Sequence, residues 1–426
     1  MKFAHIADMH LGAFREKELK ELNFLAFKMA VDKCIDEGVD FVIFAGDIFH
    51  NPVPDMDIVN RAVKELMRLK EYDIEIYAIY GSHDFSAGSP SLLDVLSTAK
   101  TFTKITRVES SSGEKLRLRY IEDKKTGVKI FGLSGLSGGL ETKYFEILDR
   151  EYLEKIPGEK IFVFHTGIAE LIPKGIKDRN LIPISYLPRN FNYYAGGHIH
   201  VRIEHEYNGS YIVYPGPLFG ATYTDLEYEG ERGFYIVDDY IPRFIPIKVC
   251  DFERAVFNAN GKSASELYEE LRTFAEEDHS DKVVLIKIHG ELESGKPSDV
   301  RIGEIREIAM KTAKVVLINR YALRTRSIET RTVVGGGSVE EIENSILKEI
   351  AVKPQRGITL NFVQTVLDTL RIEKGERTKK EHEEIVQREF WRAVRDYVEK
   401  GPLPEKEEKA VVIKRQSSIL DFLGAR

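Results

Sequence analysis

Five short blocks of Asp, His and Gly, each set directly after an apolar stretch, constrain this chain more than any other feature. In order they are Asp8-Met9-His10, Gly46-Asp47-Ile48-Phe49-His50, Gly81-Ser82-His83-Asp84, His165 and Gly197-His198-Ile199-His200, and they hold six of the eleven histidines. A single such block is weak, since a histidine in a turn after a strand is usually a hydrogen-bonded structural residue. Five in series are another matter, because a β-sandwich gathers strand-end residues that are distant in sequence. Neutral imidazole and carboxylate are the ligands that suit Mn²⁺, Fe²⁺ or Zn²⁺. The pattern predicts a two-metal site. Asp8 with His10, and His198 with His200, are expected to face alike from extended strand ends. A carboxylate such as Asp47 can bridge two cations and prepare a water for attack on phosphorus. His50 and His83 are left to meet the phosphate and the leaving oxygen, with Asp84 placed to hold the His83 imidazole in the needed tautomer or raise its pKa.

The stretches between the blocks indicate the fold class. Lys2 to Ala7, Val39 to Ala45, Ile74 to Tyr80 and Lys160 to Phe164 are short, apolar and rich in β-branched and aromatic residues, as in strands buried on both faces. Between them, Lys17 to Glu37 places Leu22, Leu25, Ala26, Met29, Ala30 and Lys33 on one helical face, and Ile58 to Leu69 repeats this with Val59, Ala62, Val63 and Leu66. After Gly196 come short, closely spaced strands, Arg202 to Glu206, Tyr211 to Tyr214, Gly233 to Val237 and Phe244 to Val249, which predict an antiparallel sheet. Residues 1–250 therefore read as a layered α/β sandwich. Residues 251–334 read as a small α+β domain, with helices over Ser265 to Ala275 and Val300 to Thr312 and strands over Val283 to His289 and Val315 to Asn319. Arg320, Arg324, Arg326 and Arg331 near its end suit either phosphates or a solvated face.

Gly335-Gly336-Gly337 reads as a linker into a helical region, residues 335–401. Three segments are expected there: Ser338 to Val352, opened by a Ser338/Glu341 capping box; Thr359 to Leu370; and Thr378 to Lys400, opened by Thr378/Glu381 and closed by Gly401-Pro402. Their stripes (Val339, Ile342, Ile346, Ile350; Val386, Phe390, Val394, Tyr397) are too few for a core and await a partner. Residues 402–426 read as a flexible tail. With no apolar run able to cross a bilayer, no signal-peptide pattern, and Cys34 and Cys250 far apart, the expectation is a cytoplasmic protein with buried thiols. The net charge of −7 gives no overall pull toward nucleic acid, so any DNA affinity must be local.

The series Asp8-x-His10, Gly46-Asp47, Gly81-Ser82-His83-Asp84, His165 and Gly197-His198-x-His200 is similar to the calcineurin-like metallophosphoesterase superfamily. Within it, Lys2 to Gly12, Phe44 to His50 and Tyr194 to His200 look like the SbcD-type, or Mre (meiotic recombination), DNA-repair nucleases of archaea and eukaryotes. The resemblance covers residues 1 to about 250, extends to the small α+β domain of residues 251–334 by architecture alone, and reaches the C-terminal helices in position and amphipathicity alone. It implies a four-layer α/β/β/α sandwich, a small α+β capping domain that binds DNA, and C-terminal helices that bind an SbcC-like SMC-type ATPase. It implies one metal on Asp8, His10, Asp47 and His200 and a second on Asp47, Ser82, His165 and His198. His83 would serve the leaving group, assisted by Asp84, and His50 would contact the phosphate. The activity implied is an Mn²⁺-dependent nuclease of double-strand-break processing, a 3′–5′ exonuclease on duplex ends and an endonuclease on single strands, working as a homodimer at the nucleoid. The family usually has Asn where this chain has Ser82, and a hydroxyl is a shorter, weaker ligand than an amide oxygen, so the second metal is expected to be held loosely or through water. Two other readings stay open: a phosphodiesterase or phosphatase of the same superfamily acting on small substrates, and a DNA-tethering scaffold with weakened catalysis. In the tail, Gln416, Ile419, Phe422 and Leu423 resemble the sliding-clamp-binding peptide (PIP box) of archaeal replication and repair proteins, against an incidental amphipathic end.

Overall fold

Strand after strand in the first part of the chain carries apolar side chains on both faces, so neither face can be left to water. A computed structural model describes residues 1–84, 90–109, 115–136, 139–173, 181–325, 360–370, 372, 375 and 379–400. Residues 1–326 make one unit and 327–426 another, each taken by itself. In the strands Lys2–Ile6, Phe41–Ala45 and Glu75–Ile79, alternation sorts Phe3, Phe41, Ile43, Tyr77 and Ile79 to one side and Ala4, Ile6, Val42, Phe44, Ile76 and Ala78 to the other. These three strands are parallel neighbours in a six-stranded sheet, with Gly233–Asp238 antiparallel to the first. One face of this sheet is covered by the helices Lys17–Asp36 and Met56–Glu71. The other meets a second six-stranded sheet, whose Lys160–His165 and Tyr193–Gly197 supply Ile161, Val163, Tyr193 and Ala195 to the shared layer. Behind that sheet Phe162, Phe164, Tyr194 and Tyr214 pack on Phe145 and Leu153 of the helices Glu141–Ile147 and Arg150–Lys155. The layers are thus α/β/β/α, as expected.

The four short strands after Gly196 do not form one antiparallel sheet. Ile203–Tyr207 and Ser210–Tyr214 make a hairpin at the edge of the second sheet, through Asn208 and Gly209, both at positive φ. Gly233–Asp238 and Ile241–Pro246 make another at the edge of the first. Turn chemistry specifies each hairpin, while sheet membership depends on partners far away in sequence.

The second lobe has the expected mixture of helix and strand, in strict alternation. Asp251–Asn258, Lys282–Leu292 and Val315–Thr325 form a parallel sheet, linked by the helices Ala264–Ala275 and Ile302–Ala309. The first of these strands was not anticipated, because Glu253 and Arg254 interrupt its apolar pattern. A parallel sheet needs cover on both faces. Val284, Ile286, Ile288 and Val316 lie under the two helices. Val283, Leu285 and Val315 join the core of the first lobe's helix layer. The boundary expected near Asp251 is therefore a change of sheet without a break in the core.

In the second unit, the helices Leu360–Leu370 and Lys379–Lys400 are described. Phe362 stacks on Tyr397 with ring centres 4.1 Å apart, which pairs the start of one with the end of the other. Val386, Phe390, Val394 and Tyr397 are half-buried, whereas Trp391 is exposed. Arg326 and Arg331, the Gly335–Gly337 linker, the helix expected over Ser338 to Val352, and the tail residues Gln416, Ile419, Phe422 and Leu423 lie outside the described residues. Cys34 is buried, Cys250 partly so, and both are free thiols. Among the described residues no helix is long and apolar enough to cross a membrane.

Candidate metal centre

All five blocks sit where parallel strands end, the side on which sheets of this type place their sites. The aiming is done by turns. Strands stop at Ile6 and Gly197, and Asp8, His10, Asp47 and His198 then take φ of 50°, 44°, 50° and 88°. This corrects the expectation that Asp8 and His10, or His198 and His200, share a face through strand alternation. Left-handed backbone costs roughly 1–2 kcal/mol per non-glycine residue, so the surrounding structure must hold it. Part of that hold is a backbone zipper: the N–H groups of Asp8, His10 and Leu11 donate to the carbonyls of Gly46, Asp47 and Ile48 at 3.1, 2.9 and 2.9 Å. Two glycines allow the closeness. A Cβ on Gly81 would lie 2.1 Å from Asp47 Oδ1, and one on Gly197 would lie 2.0 Å from the Ala45 carbonyl oxygen.

Asp47 Oδ2 stands 3.5 Å from His10 Nε2 and 3.3 Å from His165 Nε2, while Oδ1 accepts the His83 N–H at 2.8 Å. Asp8 accepts the His198 N–H at 2.9 and 3.1 Å on its two oxygens. His165 Nδ1 donates to the Ala45 carbonyl at 2.8 Å, so a neutral ring keeps its lone pair on Nε2, a buried atom with no hydrogen-bond partner. His200 Nδ1 donates to Asp225 at 2.9 Å, so its Nε2 lone pair faces His10 Nε2 at 3.0 Å. Buried lone pairs and carboxylate oxygens aimed at one another repel unless positive charge stands among them. Asp8, His10 and His200 bring their ligand atoms within 4.8 Å of one another, as do Asp8, Asp47 and His165. The donor set fits divalent cations, and the outward nitrogens of His165 and His200 are fixed by acceptors in the way metal-binding histidines require. His10, His50 and His83 form a third cluster toward the surface.

With protons alone, the cluster neutralises itself. Burial raises the Asp8 carboxyl above its ordinary value. Burial also opposes the charge on Asp47, but the imidazoles of His165, His10 and His83 hold it below the usual carboxylate range. Against the effect of burial, Asp47 and Asp8 push His165 up to about 10, and Asp225, Asp8 and Asp47 push His200 up to about 9. Burial drives His10 far down. Cations entering this site would displace the protons on His165 and His200.

The expected pairing of Asp84 with His83 is not made. Asp84 instead accepts the backbone N–H groups of Ile48, Phe49 and Gly81 at 3.1, 3.0 and 3.0 Å, stapling two turns together. Burial, with the charge of Asp47, raises it to about 7. Neighbours in a tight turn diverge: Asp84 points inward, and the exposed His83 donates from Nδ1 to the His50 carbonyl at 2.8 Å. The His83 ring stacks on His50, centres 5.2 Å apart. The His198 ring lies 5.3 Å from that of His165, and Ser82 is half-buried between Gly81 and His83. Asp225, which orients His200, is missing from the sequence reading. Its one signal is a capping box with Thr222 at the helix Tyr223–Glu227, a pattern that announces a helix start and nothing more.

Residues 1–202 match the calcineurin-like phosphoesterase family. Relatives found for the chain carry the name DNA double-strand break repair protein Mre11. The one from Archaeoglobus fulgidus is 28% identical over 58% of this chain and 59% of its own length. That from Methanococcus maripaludis is 30% identical over 56% and 63%. That from Methanocaldococcus jannaschii is 28% identical over 72% and 77%. The chain thus spans about three fifths of the length of the first two.

Proposed function

We propose that this chain is a two-metal DNA nuclease of double-strand-break processing. The observation that carries the reading is Asp47 Oδ2, set between His10 Nε2 and His165 Nε2. That is the place of a bridging carboxylate. One cation is assigned to Asp8, His10, Asp47 and His200, the other to Asp47, Ser82, His165 and His198. When bound, such a pair supplies Lewis acidity toward a phosphodiester and activates water near neutral pH. The remaining work falls to side chains. His83, its Nδ1 held by the His50 carbonyl, presents Nε2 to the leaving oxygen. His50, stacked beside it, contacts the phosphate. Asp84 keeps the two turns in register.

The DNA substrate is supported by relatives named for double-strand-break repair, one matched over 321 residues, well beyond the family match at residues 1–202. From the resemblance of Lys2 to Gly12, Phe44 to His50 and Tyr194 to His200 to the SbcD-type nucleases, the proposal extends to Mn²⁺ as the metal, 3′–5′ exonuclease action on duplex ends, endonuclease action on single strands, a homodimer, and an SMC-type ATPase partner for the C-terminal helices. A cytoplasmic, nucleoid-associated location and clamp docking by Gln416, Ile419, Phe422 and Leu423 belong to the same proposal.

The test is metal analysis of the purified chain together with cleavage assays on duplex, hairpin and single-stranded DNA and on a small phosphodiester. Two cations per chain and Mn²⁺-dependent DNA cleavage are expected, with both lost in Asp47→Ala. Hydrolysis of the small diester without DNA cleavage would return the small-substrate reading. Cation binding with no hydrolysis of either would point to a tethering scaffold.

A further inference from the structure

The short helix Tyr223–Glu227 is held at both ends, and by both lobes. At its start Asp225 Oδ1 accepts from His200 Nδ1 at 2.9 Å, and Oδ2 accepts from the N–H groups of Ala221 and Thr222 at 2.8 and 2.9 Å. Beyond, carbonyls at the C-terminal end of the helix, where intrahelical donors run out, are gripped by two guanidinium groups. Arg232 Nη2 donates to the carbonyls of Asp225 and Tyr228 at 2.6 and 2.9 Å. Arg254, from the strand Asp251–Asn258 of the second lobe, donates from Nε and Nη2 to the Leu226 carbonyl at 3.1 and 2.9 Å, and from Nη2 to that of Tyr228 at 3.2 Å. Each guanidinium lies 4.9 Å from the centre of the Phe252 ring, which holds it sideways. Lys287, also of the second lobe, pairs with Glu227 at 3.0 Å. Positive charge suits a helix C-terminus, and an arginine fork fixes the carbonyls it grips more tightly than a lysine can. An unbroken series of contacts thus runs from the second-lobe sheet through Arg254, the helix and Asp225 to the nitrogen opposite the one His200 turns toward His10.

We propose that Asp225 and Arg254 are positioning residues for the divalent cation held by His200, so that the seating of the second lobe sets cation affinity at that position. The proposal rests on the metal-centre reading above. Asp225 acts by fixing the tautomer and ring plane of His200. Arg254 acts one step further out, by holding the helix on which Asp225 rides. Loss of a group that orients a ligand in this way costs about 10–100-fold in metal affinity.

The experiment is a calorimetric Mn²⁺ titration of the full chain, with the visible absorption of bound Co²⁺ as a second readout. The variants are Asp225→Ala, Asp225→Asn, Arg254→Ala and Arg254→Lys. Arg306→Ala serves as control, because it removes a different ion pair between the lobes, the 3.6 Å contact with Glu16. Asp225→Ala should weaken one of the two cation positions about 10–100-fold and alter the Co²⁺ spectrum. Asp225→Asn, which keeps an acceptor oxygen, should recover part of the loss. Arg254→Ala should weaken the same position several-fold, with partial rescue by Arg254→Lys, and Arg306→Ala should bind as the parent does. If Asp225→Ala fails to unfold cooperatively, Asp225→Asn and Arg254→Ala decide. Parental affinity and spectrum in the Asp225 variants, or an Arg254→Ala chain that matches Arg306→Ala, would overturn the proposal alone. A parent chain that binds no divalent cation would overturn the metal-centre reading itself, and the two failures are therefore distinct.

Discussion

His83 Nδ1 lies 2.8 Å from the carbonyl oxygen of His50, so the backbone of one turn fixes the tautomer of a histidine in another. A carbonyl oxygen only accepts, which places the hydrogen on Nδ1 and the lone pair of the neutral ring on Nε2. The exposed His83 ring stands 4.8 Å, centre to centre, from the buried ring of His10. It borders the candidate metal cluster while remaining open to solvent.

His83→Gln should therefore reduce phosphodiester cleavage by about 10²–10⁴-fold, the usual size of a lost proton-transfer contribution, with two cations still bound. Single-turnover cleavage read beside metal analysis checks both halves. A missing cation would make His83 a ligand.

Ser82→Asn should tighten the second cation and raise activity at limiting Mn²⁺, because an amide oxygen reaches further and coordinates better than a hydroxyl. Activity measured across an Mn²⁺ series decides the matter. An unchanged curve would place Ser82 outside the ligand set or show that it already suffices.

Acid should destabilise the protein in part through His5. This side chain is fully buried between the sheets, with Nδ1 3.1 Å from the Tyr193 hydroxyl, and burial lowers its pKa from 6.5 to about 3. Below pH 6.5 the unfolded chain takes up a proton that the folded one refuses, so stability falls as pH drops from 6.5 toward 3. The slope tends to roughly 1.4 kcal/mol per pH unit from this group. Urea midpoints for the parent and for His5→Gln, collected from neutral to acid pH, should show a shallower acid limb in the variant. Parallel limbs would mean that His5 does not titrate this way.

Truncation before Gly335 should leave Mn²⁺-dependent cleavage in place and abolish co-purification with an SMC-type ATPase. The helix pair covers some of its own apolar surface through Phe362 and Tyr397, yet Trp391 stays 55% exposed. Continued co-purification of the truncated chain would move the ATPase contact into the first unit.

The sheets are legible in the sequence because residues such as Phe3 and Ala4, or Phe41 and Val42, alternate between two apolar environments and leave no polar face. The ligand candidates are legible because imidazole and carboxylate recur after each of those strands. What stays hidden depends on contacts distant in sequence. Nothing local assigns Ile203–Tyr207 to one sheet and Gly233–Asp238 to the other. Thr222 and Asp225 read as a helix cap, and a second bond from the same carboxylate to His200 needs the fold to bring them together. Asp84 follows His83 directly, and adjacency suggests a partnership that the turn geometry forbids.

The sheet of the second lobe turns one apolar side to its own helices and the other to its neighbour. A lobe made this way has no private interior on the shared side. Severing the chain near Cys250 would bare Val283, Leu285 and Val315 on one fragment and their seat on the other, giving two sticky halves instead of two proteins. For the same reason, evolution can trade this lobe for another only by rebuilding the helix surface it rests on.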